Sequence, residues 1–239
     1  MCDNEGIHRK MNGVLYLSYT GQSKKIAEYF AERTGFDIFD ISDPQRSGHS
    51  FDTAIFVFPV HCQNIPEKAK SALEKLCARN LVIVATYGKM CFGNVLYEIR
   101  RRYRHNIIAA AYVPTTHSYL KHDCEFTDFA GLTPVIEKLN APSPVEIPRS
   151  YKNPFSDIFK GLRSRIGVKI RKSAACDNCG LCETACDFGA IKNGKTNGRC
   201  IRCLKCVFNC PSNALEFSLA APMRMYLGKK KIDRLIIYV

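Results

Sequence analysis

The chain has 239 residues, a net charge of +13, a hydrophobic share of 46% and thirteen cysteines. Its length allows one large domain or two small ones, and its apolar share permits a buried core. The longest apolar runs, AIFVFPV and IIAAAYV, are strand-length and too short to span a bilayer, and MCDNEGIHRKMNGV lacks the apolar centre of a signal peptide, so a cytoplasmic protein is expected.

Residues 1–12 are polar and expected to fray. Val14 to Leu17 reads as a strand, and Gln22 to Arg33 as a helix with Ile26, Ala27, Phe30 and Ala31 on one face. Between them lies Ser18-Tyr19-Thr20-Gly21-Gln22-Ser23. A strand that runs through hydroxyl residues and a glycine into a helix start suits an anion, because helix N-terminal N–H groups and hydroxyls converge there. An ordinary Ser-capped turn has the same composition. Phe36 to Ile41 reads as a second strand, followed by a polar loop over 42–50. Asp52 to Pro59 is an apolar strand of the kind buried on both faces. A helix over Glu67–Ala78, a strand over Leu81–Thr86, a helix over Cys91–Arg104, a strand over Ile107–Val113 and a helix over Phe129–Leu139 follow. Such alternation predicts an α/β fold with a parallel sheet.

With SYTGQS after the first strand, Pro59-Val60-His61 after the third and Thr86-Tyr87-Gly88 after the fourth, residues 13–140 resemble the flavodoxin family. The resemblance implies a doubly wound sheet of order 2-1-3-4-5 with FMN at the switch point. By position, Ser18, Thr20, Gly21, Gln22 and Ser23 would hold the phosphate. Pro59, Val60 and His61, with Thr86, Tyr87 and Gly88, would flank the isoalloxazine. The helix that flavodoxins place between strands two and three is reduced here to the 42–50 loop. The chain has no Trp, which leaves Tyr87 and Phe92 as the aromatics near the ring. The sequence does not set beside His61 or Cys62 the residues that a nucleophile or base requires, so no catalytic residue is assigned.

Residues 141–173 read as a linker that opens with the Pro-rich APSPVEIP and carries Ile158, Phe159 and Leu162 at short-helix spacing. Then Cys176, Cys179, Cys182 and Cys186 follow the spacing C-x2-C-x2-C-x3-C. Cys200, Cys203, Cys206 and Cys210 repeat it 24 residues later, with Pro211 next. Two four-cysteine zinc sites would leave the third cysteine of each run and the Cys-Pro ending surplus. Residues 174–217 resemble bacterial two-cluster ferredoxins. In that pattern three thiolates spaced by two residues curl round one cluster, and the fourth reaches the other. One [4Fe-4S] cluster would take Cys176, Cys179, Cys182 and Cys210, the second Cys200, Cys203, Cys206 and Cys186. Asp187 stands where those ferredoxins usually have proline, which would put a carboxylate beside the second cluster. The remaining cysteines, Cys2, Cys62, Cys77, Cys91 and Cys124, are scattered and suit a reducing interior. The closing IDRLIIYV is expected to add a strand to a sheet or cover an interface.

The whole chain is similar to the flavodoxin–ferredoxin fusion proteins of anaerobes. The implied plan is an FMN domain over 13–140, a linker over 141–173, and a small α+β domain with two [4Fe-4S] clusters over 174–239. The implied function is electron relay between clusters, FMN and partner proteins. The alternatives are a flavin-dependent reductase fed by the clusters and a flavin-free ferredoxin with a docking module. Basic groups lie at Arg100–Arg104, at Arg163–Lys172 and at Arg224–Arg234. They read as solvated surface or as steering for redox partners with acidic docking surfaces. No helix-turn-helix, RRM, KH or finger pattern points to nucleic acid.

Overall fold

A computed structural model describes residues 11–43, 50–120, 125–158 and 162–239. Residues 1–10 and most of the 42–50 loop lie outside this range, as do Cys2, Cys124 and Phe159. In chain order the first elements are β1 (Met11–Tyr16), α1 (Gln22–Thr34), β2 (Asp37–Asp40), β3 (Ser50–Pro59), α2 (Glu67–Lys75), β4 (Cys77–Tyr87), α3 (Val95–Arg102) and β5 (Ile107–Pro114). There follow α4 (Thr133–Glu137), α5 (Phe155–Ile158), α6 (Leu162–Gly167), β6 (Val168–Lys172), α7 (Leu181–Thr184), β7 (Ile191–Lys192) and β8 (Lys195–Thr196). Last come α8 (Lys205–Phe208), β9 (Leu215–Leu219), α9 (Ala221–Leu227) and β10 (Ile236–Tyr238). The chain divides into two compact units: β1–β5, α1–α4 and β10 form the first, and α5–α9 with β6–β9 form the second.

The first unit is built on one sheet of order β10-β5-β4-β3-β1-β2. Its five leading strands run parallel in the order 2-1-3-4-5, as expected, and β10 adds antiparallel to β5. Ala54–Phe58, Leu81–Ala85 and Ile107–Val113 are fully or almost fully buried, because helices cover both faces of a parallel sheet. Helix α1 seals one face with Ile26, Ala27 and Phe30. It opens at Gly21 (φ 86°) and closes at Gly35 (φ 69°), whose N–H caps the Ala31 carbonyl at 2.8 Å. These left-handed ends suit glycine, which has no Cβ to clash.

Several elements differ in extent from the sequence reading. Helix α3 starts at Val95 rather than Cys91, because Gly93 is left-handed (φ 65°) and breaks the preceding turn. The helix expected over 129–139 is split into a 3-10 turn (Ala130–Leu132), α4 and a second 3-10 turn (Lys138–Asn140). Pro134 favours a fresh first helical turn there. Cys77, expected reduced with the other scattered cysteines, is disulfide-bonded at the start of β4.

The stretch expected as a linker divides between the units. Val145 and Ile147 are buried, and the Val145 N–H donates to Ile107 O at 3.0 Å. The Ser150 and Asn153 N–H groups donate to Asn94 Oδ1 and Gln63 Oε1 at 2.8 and 2.9 Å. An extended, Pro-rich segment has free backbone donors, and the first unit supplies acceptors for them. Residues 162–172 instead form α6 and β6 of the second unit.

Residues 232–239 return to the first unit and close its sheet edge. Tyr87 is the anchor. Its hydroxyl donates to Arg234 O at 2.6 Å and accepts from the Arg234 N–H at 3.3 Å. Buried Lys89 reaches Asp233 at 2.9 Å. The Tyr87 ring packs edge-on to Phe92 and Tyr112. Burial pushes the Tyr87 hydroxyl up to about 12, against a smaller lowering by the Arg234 backbone, and also raises Tyr112. An unfolded tyrosine ionises near pH ~10. Stability should therefore hold below about pH 10 and fall as pH climbs towards 12, because the unfolded chain loses its proton first. Urea titrations at alkaline pH should show this fall. Tyr87→Phe should shrink it and cost about 1–2 kcal/mol at neutral pH by unpairing the Arg234 carbonyl; an unchanged midpoint would refute the anchoring role.

Candidate functional site

The second unit follows the 24-residue repeat in its backbone. Asn178 and Arg202 have φ of 59° and 61°, Gly180 and Leu204 of 75° and 64°, and Gly189 and Asn213 of 52° and 51°. Short helices α7 and α8 start directly after the second pair. The Ala190 N–H donates to Cys186 Sγ at 3.2 Å, and the Ala214 N–H to Cys210 Sγ at 3.3 Å. The strands repeat as well: Lys172 pairs Leu215 across β6–β9, and Thr196 pairs Ile191 across β8–β7. Each half thus lends a strand and a cysteine loop to a pseudo-symmetric whole.

Cys176, Cys179, Cys182 and Cys210 line one small pocket with about 30 Å³ of accessible space, together with Gly180, Gly194 and Pro211. Three come from the first run and one from the second, which is the crossed set. For the other run, burial pushes the Cys203 thiol up to about 12, and its neighbours Cys206, Cys200 and Cys186 add to the rise. Burial likewise pushes Cys206 up to about 11, with Cys200, Cys186 and Cys182 contributing. Cys186 thus lies near enough to act on both thiols, as Cys182 does on Cys206. All eight thiols are free of disulfides. Among the described residues, no three His, Cys, Asp or Glu side chains converge on the position of a single ion. Ile191 and Leu215, with Ile170 and Val207 against them, supply an apolar shell around Cys182, Cys186, Cys206 and Cys210.

Asp187 does not present a bare carboxylate. Lys205 Nζ lies 3.3 and 3.2 Å from its two oxygens, and the Asp187 side chain is only 9% exposed. The sequence contains both residues, yet their meeting depends on the repeat folding back on itself. Tyr119, also unnoticed in sequence, donates its hydroxyl to Arg202 O at 2.8 Å and packs on Phe217.

In the first unit the three expected loops lie at the carboxyl ends of β1, β3 and β4. Thr86 ties them together. Its hydroxyl bonds the Ser23 hydroxyl at 2.8 Å in a buried pair, and its carbonyl accepts the Val60 N–H at 2.7 Å. After Pro59 and Val60, His61 and Asn64 exchange backbone hydrogen bonds at 3.0 and 2.9 Å, which forces Cys62 and Gln63 to positive φ. Ser18 Oγ is buried with no hydrogen-bond partner. A Cβ built on Gly21 would meet no atom within 4 Å, so the loop in front of α1 is open. Half-buried Thr20 and Gln22 flank that opening, and the first turn of α1 carries no acid.

Both aromatics near the expected ring-flanking loop pack into the core. The Tyr87 side chain is buried and bound to Arg234, and Phe92 packs on Tyr112 with ring centroids 4.3 Å apart. Both serve the core, since β10 brings a backbone partner that the Tyr87 hydroxyl requires once buried. Gly88 leaves room for His117, whose ring lies 2.6 Å from where a Cβ would stand.

No protein-family model matches the sequence, and no curated protein matches it. Among solved structures the chain is similar to a Bacteroides uniformis protein described as a flavoprotein. Identity is 15% and the TM-score 0.37, over 45% of this chain and 92% of that one. It is also similar to the NAD(P)H:quinone oxidoreductase of Methanothermobacter marburgensis, at 10% identity and TM-score 0.31, over 55% of this chain and 94% of that one. No helix of the described residues is long and apolar enough to cross a membrane.

Gly88→Ala should cost about 1–3 kcal/mol by forcing the His117 ring aside. Adding His117→Ala should recover most of that cost in a urea-denaturation double-mutant cycle. Additive losses would show that the close approach is not the reason for the glycine.

Proposed function

We propose that the protein is a cytoplasmic electron carrier with two [4Fe-4S] clusters in its second unit and FMN in its first. The observation that carries this reading is the cavity shared by Cys176, Cys179, Cys182 and Cys210, a set that crosses between the two runs. These four would hold one cluster, and Cys200, Cys203, Cys206 and Cys186 the other. When bound, such clusters pass single electrons and flavin passes one or two, which joins partners of different electron number. The chain's own part is to fix the thiols, to surround them with apolar side chains and to donate N–H groups to sulfur; all three tune potentials.

For FMN, the orphaned Ser18 hydroxyl, the open space before Gly21 and the α1 N-terminus suit a phosphate. Ser18, Thr20, Gly21 and Gln22 would contact it, and Ser23 would act through its bond to Thr86. Pro59, Val60, His61, Thr86 and Gly88 would flank the ring, with Tyr87 present there through its backbone alone. A second reading, a flavin-free carrier, is favoured by that buried Tyr87, which offers no stacking face. Partners would be redox proteins with acidic surfaces, given the +13 charge.

Anaerobic purification should yield a brown protein with about eight irons, as two four-iron clusters require, and FMN. Iron without flavin after reconstitution would select the second reading, and zinc without iron would reject both. Cys186→Ser should damage the centre formed by the second run, and Cys210→Ser that of the first. EPR of the reduced variants reports which centre is lost, and loss of the centre nearest in sequence would contradict the crossed set.

The Lys205–Asp187 pair makes a further expectation. Lys205→Met removes the cation that balances Asp187, so the potential of the second-run centre should drop. Adding Asp187→Asn should bring it back towards wild type in a redox titration; a potential indifferent to both changes would show that the pair has no tuning role.

A further inference from the structure

Helices α6 and α9 leave the antiparallel β6–β9 pair at the same end. The Ala220 N–H donates to Gly167 O at 2.9 Å, and Gly167 packs on Met223 so closely that a Cβ would lie 2.5 Å from its Cε. Most of the apolar side chains on this corner turn outward. Met225 is 76% exposed and Ile166 62%, with Leu162 and Tyr226 beside them in the two helices. Isolated exposed apolar side chains are ordinary, but four on one pair of packed helices are a patch.

Cations stand next to that patch along the chain. Residues 154–231 contain fifteen Lys and Arg against five Asp and Glu. Lys169, Arg224, Lys229 and Lys230 are exposed, and among the described residues they have no acidic partner. The corner is also fastened to the second cysteine run. Arg165 of α6 donates to the Gly198 carbonyl, two residues before Cys200. Arg202, next to Cys203, donates through Nε to Val168 O at 2.9 Å.

We propose that this α6–α9 corner is the docking face for an acidic redox protein, with Met225 and Ile166 as apolar anchors inside a ring of lysine and arginine. An acidic protein fits because the cations are unpaired and interspersed with protruding apolar groups. That is the pattern of a small transient interface steered by charge. The Arg165 and Arg202 hydrogen bonds put the docked partner on the loops that carry Cys200 and Cys203. The assignment rests on the electron-carrier reading for its purpose, while the binding itself does not.

The test uses anaerobically purified, cluster-loaded protein and an acidic plant-type ferredoxin as probe. Binding is measured by calorimetry at low and high salt. Wild-type affinity should fall as salt rises. Lys229→Gln/Lys230→Gln should weaken low-salt binding by about tenfold. Ile166→Ser/Met225→Ser should weaken it at both salt concentrations. All four positions are exposed, so the fold should survive, and circular dichroism checks that. Electron transfer to a neutral quinone is followed in parallel. Binding that drops in the variants while even wild type fails to reduce the quinone would sink the electron-carrier reading and spare the docking face. Normal quinone reduction with unaltered probe binding in both variants would overturn the docking face. So would variants that lose affinity only for phosphatidylserine vesicles, which would make the partner a membrane.

Discussion

The proposed centres need eight thiols to face two small volumes, and neither a regular helix nor a strand can turn them there. The second unit solves this with left-handed residues at equivalent places in its two halves: Asn178 and Arg202, Gly180 and Leu204, Gly189 and Asn213. For a non-glycine residue such a conformation costs roughly 1 kcal/mol or more. Leu204 bears that cost while 1% exposed, where its side chain repays it by burial. The backbone then donates Ala190 and Ala214 N–H groups to the sulfurs of Cys186 and Cys210. The matching strand pairs and N–H bonds to sulfur follow from repeating one turn twice.

The first unit depends on a different constraint. Its parallel strands are buried on both faces, so its chemistry can lie only where strands end. Three of those ends are bound to one another through Thr86, which joins Ser23 and Val60. The loop before α1 keeps an unpaired Ser18 hydroxyl inside this fixed frame. A buried hydroxyl without a partner is costly, and a bound anion would relieve that cost.

Much of this was legible in sequence, for local reasons. Continuous apolar runs announced β3, β4 and β5, strand–helix alternation announced a parallel sheet, and the resemblance of its loops implied the order. The cysteine spacing announced the repeat, and residues 24 apart share their backbone conformation. What stayed hidden depends on contacts between distant residues. Nothing near Tyr87 in sequence says that Arg234 will take its hydroxyl, so an aromatic assigned to the ring became a core residue. Asp187 looked like an uncompensated charge because Lys205 lies 18 residues away. The linker over 141–173 looked independent because Pro-rich composition does not reveal that Ile107, Asn94 and Gln63 will supply its hydrogen-bond partners.

The return of residues 232–239 to the first sheet makes the cysteine-bearing unit an insertion rather than an appendage. During synthesis on the ribosome, β5 remains an open edge while the entire thiol-rich segment is being made. Ile236–Tyr238, made later, cover it. By connectivity alone, the thiol-rich segment is made before the strand that pairs with β5. A chain stalled before position 232 would expose both a sticky strand edge and a set of oxidisable sulfurs.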